Sequence, residues 1–184
     1  MEKVIITVLG QDRPGIIAAV SQSLFEQDCN IENISQMVLQ SEFAGLFVIT
    51  APEGATIEGV RESLNKVLAA MNLEVQAKAL TKPQTPASTP AVEPFLITTM
   101  GPDAKGLVAR ITAVLAKHGA NVTNFKAVFH GGQNPDRNIM VYEVDVPADG
   151  NREALYAGLR SKAKEMGLEI IIQHRDIFDA VNKI

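Results

Sequence analysis

The sequence predicts an α+β chain made of two βαββαβ units, and three observations lead there: a long self-repeat, a proline-rich stretch between the copies, and hydrophobic periods that switch between two and about three and a half within each copy. Shifting the 184-residue sequence by 91 positions lays "VIITVLGQDRPGIIAAVSQSLFEQDCNIENISQMV" over "FLITTMGPDAKGLVARITAVLAKHGANVTNFKAVF" without a gap. Identical pairs include Thr7/Thr98, Gly10/Gly101, Asp12/Asp103, Gly15/Gly106, Asn30/Asn121 and Asn33/Asn124. The copies are expected at 1–80 and 95–184. Between them "TKPQTPASTPAVEP", residues 81–94, holds four prolines that remove backbone donors and favour an extended connector.

The elements follow in chain order. "KVIITVLG" is short, β-branched and closed by glycine, which predicts a strand. Ile16, Ile17, Val20 and Leu24, with Leu107, Val108, Ile111 and Leu115 in the second copy, recur at helical spacing. "NIENISQMVLQ" and "SEFAGLFVITA" read as the arms of a hairpin. So do "NVTNFKAVFH" and "NIMVYEVDVP", where Met140, Tyr142, Val144 and Val146 alternate with polar residues. A second helix is marked by Ile57, Val60, Leu64, Val67, Leu68 and Met71, and in the other copy by Leu155, Leu159, Ala163 and Met166. Asn72 and Gly167 close these helices in the left-handed conformation they tolerate, and "LEVQAKAL" and "LEIIIQHR" are the last strands. This is the split-βαβ, or ferredoxin-like, plan, with an antiparallel sheet carrying both helices on one face. Ile170 and Ile172 on one side, with Ile171 on the other, place apolar surface on both faces. The open face is therefore expected to pack on a second unit or in a homodimer.

Composition narrows the chemistry. Seventeen Lys and Arg against twenty-one Asp and Glu give a net charge of −4, which disfavours direct nucleic-acid binding. The charge is uneven: residues 1–80 carry five basic and ten acidic side chains, whereas 95–184 carry eleven and ten. A single cysteine, Cys29, excludes an internal disulfide and is expected to be a small buried residue. No metal-ligand set, cofactor motif, long apolar span or signal-peptide pattern is present, so no metal, cofactor or membrane is expected, and the cytoplasm is the expected compartment.

The repeated "GQDRPG" and "GPDAKG" end a strand at glycine and place a second glycine in the first turn of a helix. Helix-start N–H groups and the positive end of the dipole favour a carboxylate, and Gly15 and Gly106 allow close approach. Asp12 and Asp103 can cap the helix or accept a bond from an ammonium group. Pro14 suits the entry to the first turn. Asn30 and Asn33, with Asn121 and Asn124, open the next strand and are expected near the glycine turn, each amide offering a donor and an acceptor. A ligand with one carboxylate and one ammonium, an α-amino acid, matches that set.

"DRPGIIAAVSQSLFEQDCNIENIS" resembles the start of ACT domains, the amino-acid-sensing modules of metabolic regulation, with D-x-P-G, an apolar helix and then N-I. "DAKGLVARITAVLAKHGANVTNF" is a looser copy, with Lys105 in the proline position. The two-unit architecture is similar to that of the glycine-cleavage-system transcriptional repressor family. The resemblance implies a small amino-acid effector held between two units. Asp12, Gly15, Asn30 and Asn33 would form one site, and Asp103, Gly106, Asn121 and Asn124 the other. It also implies a protein partner, either a DNA-binding regulator or a metabolic enzyme. The second option corresponds to regulatory subunits such as that of acetohydroxyacid synthase.

No enzyme is expected. His118 sits at a helix end, His130 and His174 have no nucleophile or carboxylate motif around them in sequence, and no P-loop, HExxH or GxSxG pattern occurs. "HGGQNPDRN", residues 130–138, reads as a hairpin loop, and "RDIFDAVNKI" as a short packing helix at the end.

Overall fold

The computed structural model describes residues 3–81, 91–128 and 138–176. Most of the connector, His130 with its loop, and the tail beyond residue 176 lie outside these ranges. The chain divides into two compact units, Met1–Thr85 and Pro86–Ile184.

In the first unit β1 (Lys3–Gln11), α1 (Ile16–Phe25), β2 (Asn30–Leu39), β3 (Glu42–Thr50), α2 (Ile57–Leu68) and β4 (Glu74–Ala79) follow one another. The second repeats them as β5 (Val92–Gly101), α3 (Leu107–Lys117), β6 (Asn121–Val128), β7 (Asn138–Pro147), α4 (Arg152–Glu165) and β8 (Glu169–His174). β5 opens at Val92, so the end of the proline-rich stretch enters the sheet. The sheets are antiparallel between neighbours, with strand orders β2-β3-β1-β4 and β6-β7-β5-β8. Both units thus have the βαββαβ architecture expected from the sequence.

The alternation of the central strands decides what is buried. Val4, Ile6 and Val8 of β1 face the helices and are almost wholly buried, as are Phe47 and Ile49 of β3, against Val20 and Leu24 of α1 and Val60, Leu64 and Leu68 of α2. In the second unit Phe95, Ile97, Tyr142, Val144 and Val146 meet Ile111, Leu115, Leu155 and Leu159. Cys29 is buried at the edge of the first core; burial, and then the neighbouring Asp28, push its thiol up from its ordinary pKa.

Local chemistry fixes the second helix of each unit. Thr56 Oγ1 accepts a hydrogen bond from the Gly59 N–H at 3.1 Å, and Asn151 Oδ1 accepts one from the Ala154 N–H at 2.9 Å, each satisfying a donor at a helix start. Asn72 (φ 55°) and Gly167 (φ 68°) then reverse the chain in the left-handed conformation. Val67, expected in the apolar stripe, is instead 44% exposed.

Apolar residues on the other face of each sheet have no helix over them. Leu9, Met37, Leu39 and Leu46 are exposed in the first unit, and Val128, Ile139 and Ile171 in the second. Ile170 and Ile172 pack on the core, on the opposite face from Ile171.

Candidate functional site

The glycine turns are built for an uncapped helix start. Gly15 precedes α1 with φ 94° and Gly106 precedes α3 with φ 85°, a left-handed conformation that glycine adopts without steric cost. Neither helix has a side-chain cap. Asp12 and Asp103 therefore do not cap as the sequence suggested, and the glycines stand one residue before the helices, not within their first turns. Asp12, Pro14, Asp103 and both glycines are exposed. The Asp12 N–H is turned aside to the Ser41 carbonyl at 2.7 Å, which ties the turn to the β2–β3 hairpin.

In the first unit this turn borders a cavity of about 280 Å³ lined by Asp12, Arg13, Gly15, the start of α1, Gln36, Val38 and Phe43. Nothing lies within 4 Å of the position a Gly15 side chain would take. The floor is apolar, the helix start and Arg13 favour an anion, and Asp12 favours a cation. That combination suits a small zwitterion. At Gly106, by contrast, the Arg110 Nε lies 3.9 Å from the corresponding position, and Arg110 also reaches Glu165 at 3.2 Å. Its counterpart by the 91-residue offset is Ala19.

The asparagines lie elsewhere. Asn30 pairs with Thr50, which pairs with Lys3; Asn33 pairs with Val48, which pairs with Ile5. Both asparagines are thus level with the beginning of β1, whereas the glycine turn follows its end. Gly10 is five residues beyond Ile5, roughly 17 Å at strand rise. The second unit is the same: Asn121 is level with Pro94 and Asn124 with Leu96, far from Gly101. The expected closeness of asparagines and glycine turn within one unit is therefore overturned. A βαβ crossover returns the chain to the level at which it started, so β1 and β2 run parallel with β3 between them.

A bulge sets the asparagines' direction. Residues three apart on a regular strand point to opposite faces, but the register shifts between Ile31 and Asn33, and again between Val122 and Asn124. Asn30 and Asn33 consequently share the helix-free face, as do Asn121 and Asn124. The extra residue is tied down in both copies: Glu32 accepts from Lys3 and Thr50, and Thr123 Oγ1 donates to the Glu143 carbonyl at 3.2 Å. Lys3 first, then Thr50, holds the exposed Glu32 carboxyl below its ordinary pKa.

Arg13, Gln36, Val38 and Phe43 were missed as site residues. Once β2 is placed parallel to β1, its far end falls beside the turn, and the alternation of Gln36 and Val38 turns both towards α1. Among the described residues no group of acidic, histidine and cysteine side chains could hold a metal, and no helix is long and apolar enough to cross a membrane.

Two antiparallel βαββαβ units joined in tandem, each with a glycine turn before its first helix, define a duplicated α+β protein of the ferredoxin-like plan. The ACT domain pattern matches residues 2–78 and 93–173, and the chain belongs to the ACT domain family as a tandem, regulatory member. It is 40% identical over 76 residues to a UPF0237 protein of Methanopyrus kandleri, spanning 84% of that protein and 41% of this chain. A UPF0237 protein of Corynebacterium efficiens is 39% identical over 79 residues, across 89% of its length and 41% of this chain. Two solved structures share the two-unit fold. One, an unknown protein from Galdieria sulphuraria, has a TM-score of 0.75 at 21% identity and covers 94% of this chain and 98% of its own. The other, a candidate glycine cleavage system transcriptional repressor, has a TM-score of 0.68 at 18% identity and covers 94% and 96%.

Proposed function

We propose that this chain is a non-enzymatic sensor that binds a small amino acid, glycine or one of similar size, and passes that state to a protein partner in the cytoplasm. The observation that carries the reading is the open turn of the first unit, where the uncapped start of α1 and Arg13 face a cavity of about 280 Å³ that also holds Asp12. The α-carboxylate would take the helix start and the ammonium group Asp12. Pro14 rigidifies the approach to the turn. Asp103 and Gly106 would be the weaker counterpart, with Arg110 beside them.

Asn30 and Asn33, or Asn121 and Asn124, cannot reach a ligand at their own unit's turn. A ligand touching both kinds of residue must draw them from two units, which fits the way ACT domains hold effectors between modules and favours a homodimer. The output proposed is transcriptional, through a DNA-binding regulator. The acidic balance of 17 basic to 21 acidic residues opposes direct contact with DNA, and the fold shared with a candidate repressor supports this output over control of a metabolic enzyme.

A thermal-shift screen of the twenty amino acids tests the reading. A ligand present at a hundred times its dissociation constant stabilises the fold by about 2.7 kcal/mol. Gly15→Ala, which fills the approach to the helix start, should abolish the shift while Gly106→Ala preserves most of it. Silence from all twenty amino acids would defeat the proposal.

A further inference from the structure

The floor of the first unit's cavity depends on a missing side chain. Gly45 of β3 stands between Val8 of β1 and Gln36 of β2, and its buried position alternates with those of Phe43 and Phe47 on the helix-facing side. Its backbone is not left-handed, so what the site uses is the absent side chain, not conformational freedom. A Cβ added there would lie 2.8 Å from Cζ and 2.9 Å from Cε1 of Phe43, and 3.0 Å from Cε2 of Phe47. The Phe43 ring is therefore folded back over bare strand, the kind of close approach that a glycine in a strand interior permits. Val8, Ile16 and Phe47 are all buried and pack with Phe43 in one core. On the side towards Gln36 and Val38 the ring borders the cavity. In the second unit Met140 takes the place of Gly45 and Asn138 that of Phe43, so changes at residues 43 and 45 act on the first cavity alone.

We propose that Gly45 and Phe43 together determine specificity at this cavity, by setting the size of side chain it accepts, and that its ligand is an α-amino acid with no side chain or a short aliphatic one. With the carboxylate at the start of α1 and the ammonium group at Asp12, the lining left for the ligand's side chain is Val38 and Phe43, with Gln36 beside them. An apolar floor of this kind favours a hydrogen or a methyl group over a charged one, which would be desolvated there without a partner. Lying flat on Gly45, the ring leaves that space open; raised by a side chain at residue 45, it enters it. The atoms that must give way are the far end of a side chain that turns about two bonds, so the ring can move without the strand moving. This rests on the sensor reading above for the amino-acid class, and it adds what reads the ligand's side chain.

The test is calorimetric titration of the full chain with glycine, alanine, valine and leucine, comparing wild type with Gly45→Ala, Phe43→Leu and the two combined. Wild type should bind glycine and alanine ahead of valine and leucine. Gly45→Ala should weaken alanine relative to glycine by about tenfold, the effect of one methyl group in a close-fitting apolar pocket. Phe43→Leu, which shortens the floor residue, should strengthen valine or leucine relative to alanine, also by about tenfold. The double variant lacks the ring that the new methyl group displaces and should recover alanine. A purely structural role would weaken all four ligands in one proportion, so unchanged ratios in both single variants overturn the proposal and leave the sensor reading standing. A wild type that prefers leucine has the same consequence. Should Gly45→Ala fail to fold, the ratio in Phe43→Leu decides. Binding of none of the four by wild type overturns the proposal as well, and if the thermal screen of all twenty is also silent, the sensor reading falls with it.

Discussion

The two units share a scaffold and differ in what they do with it. Gly10 and Gly101 have φ of 154° and 155°, and a side chain at either would meet a backbone carbonyl, of Asn72 or Gly167, at 3.0 Å. The turn geometry is therefore common property. The core beneath it is not: Val8, Phe43 and Phe47 of the first unit face Gly45, where an added Cβ would lie 2.8 Å from the Phe43 ring, while the second unit has Thr99, Asn138, Tyr142 and Met140 in those places. Thr99, Asn138 and Tyr142 are all at most 1% exposed. The surfaces diverge as well, with an open cavity at Asp12 and Gly15, Arg110 beside Gly106, and Asn124 bonded to Glu143. The duplicated fold keeps what closes the chain, while the residues facing the core and the surface beside the turns have diverged.

The sharpest test of the common part is Gly10→Ala against Gly101→Ala. Backbone strain and the carbonyl contact together should cost about 3 kcal/mol in either unit. Denaturant unfolding of the full chain should show equal losses, and unequal ones would mean that the turns are not equivalent.

The divergent core is tested by alkali. Burial pushes the Tyr142 phenol up from 10.0 to about 12, so the folded state keeps a proton that the unfolded chain releases. Its stabilising contribution is full below pH 10 and lost as the pH rises from 10 towards 12, a loss on the order of 2 kcal/mol. Tyr142→Phe, which installs the first unit's Phe47, should flatten that part of the stability profile. An unchanged slope in the variant would argue against the phenol as its source.

The smallest effect is expected at Thr99. Its buried Oγ1 meets no hydrogen-bond geometry with any neighbour, although it lies near enough to the Tyr142 hydroxyl to offset slightly the rise of that phenol. Thr99→Val, which copies Val8, should raise stability by about 1 kcal/mol. Scanning calorimetry that showed destabilisation would mean that the hydroxyl is satisfied by solvent or by a ligand.

The fold was legible because hydrophobic period, Asn72, Gly167 and the glycine turns act locally, each fixing its own element. The candidate site was legible only in part. Asp12 and Gly15 belong to one turn and stay together whatever the sheet does, but the position of Asn30 and Asn33 depends on strand direction and order, which are set by packing among distant segments. The parallel return of β2 could have been read from the βαβ connection itself. The bulge also left a trace, since Ile31 and Ile34, like Val122 and Phe125, are three residues apart where a regular strand would space same-face residues by two.

The bulges at Glu32 and Thr123 also govern how these sheets can meet others. Both lie on edge strands, β2 and β6, whose outer N–H and C=O groups have no strand beside them within their unit. An unbroken edge of ten residues would be a template for indefinite strand addition. With the extra residue near its beginning, only the stretch from Asn33 to Leu39 keeps a regular register with β3. That stretch includes Gln36 and Val38, which line the cavity. The kink thus leaves the regular part of this edge at the end of the sheet that carries the cavity.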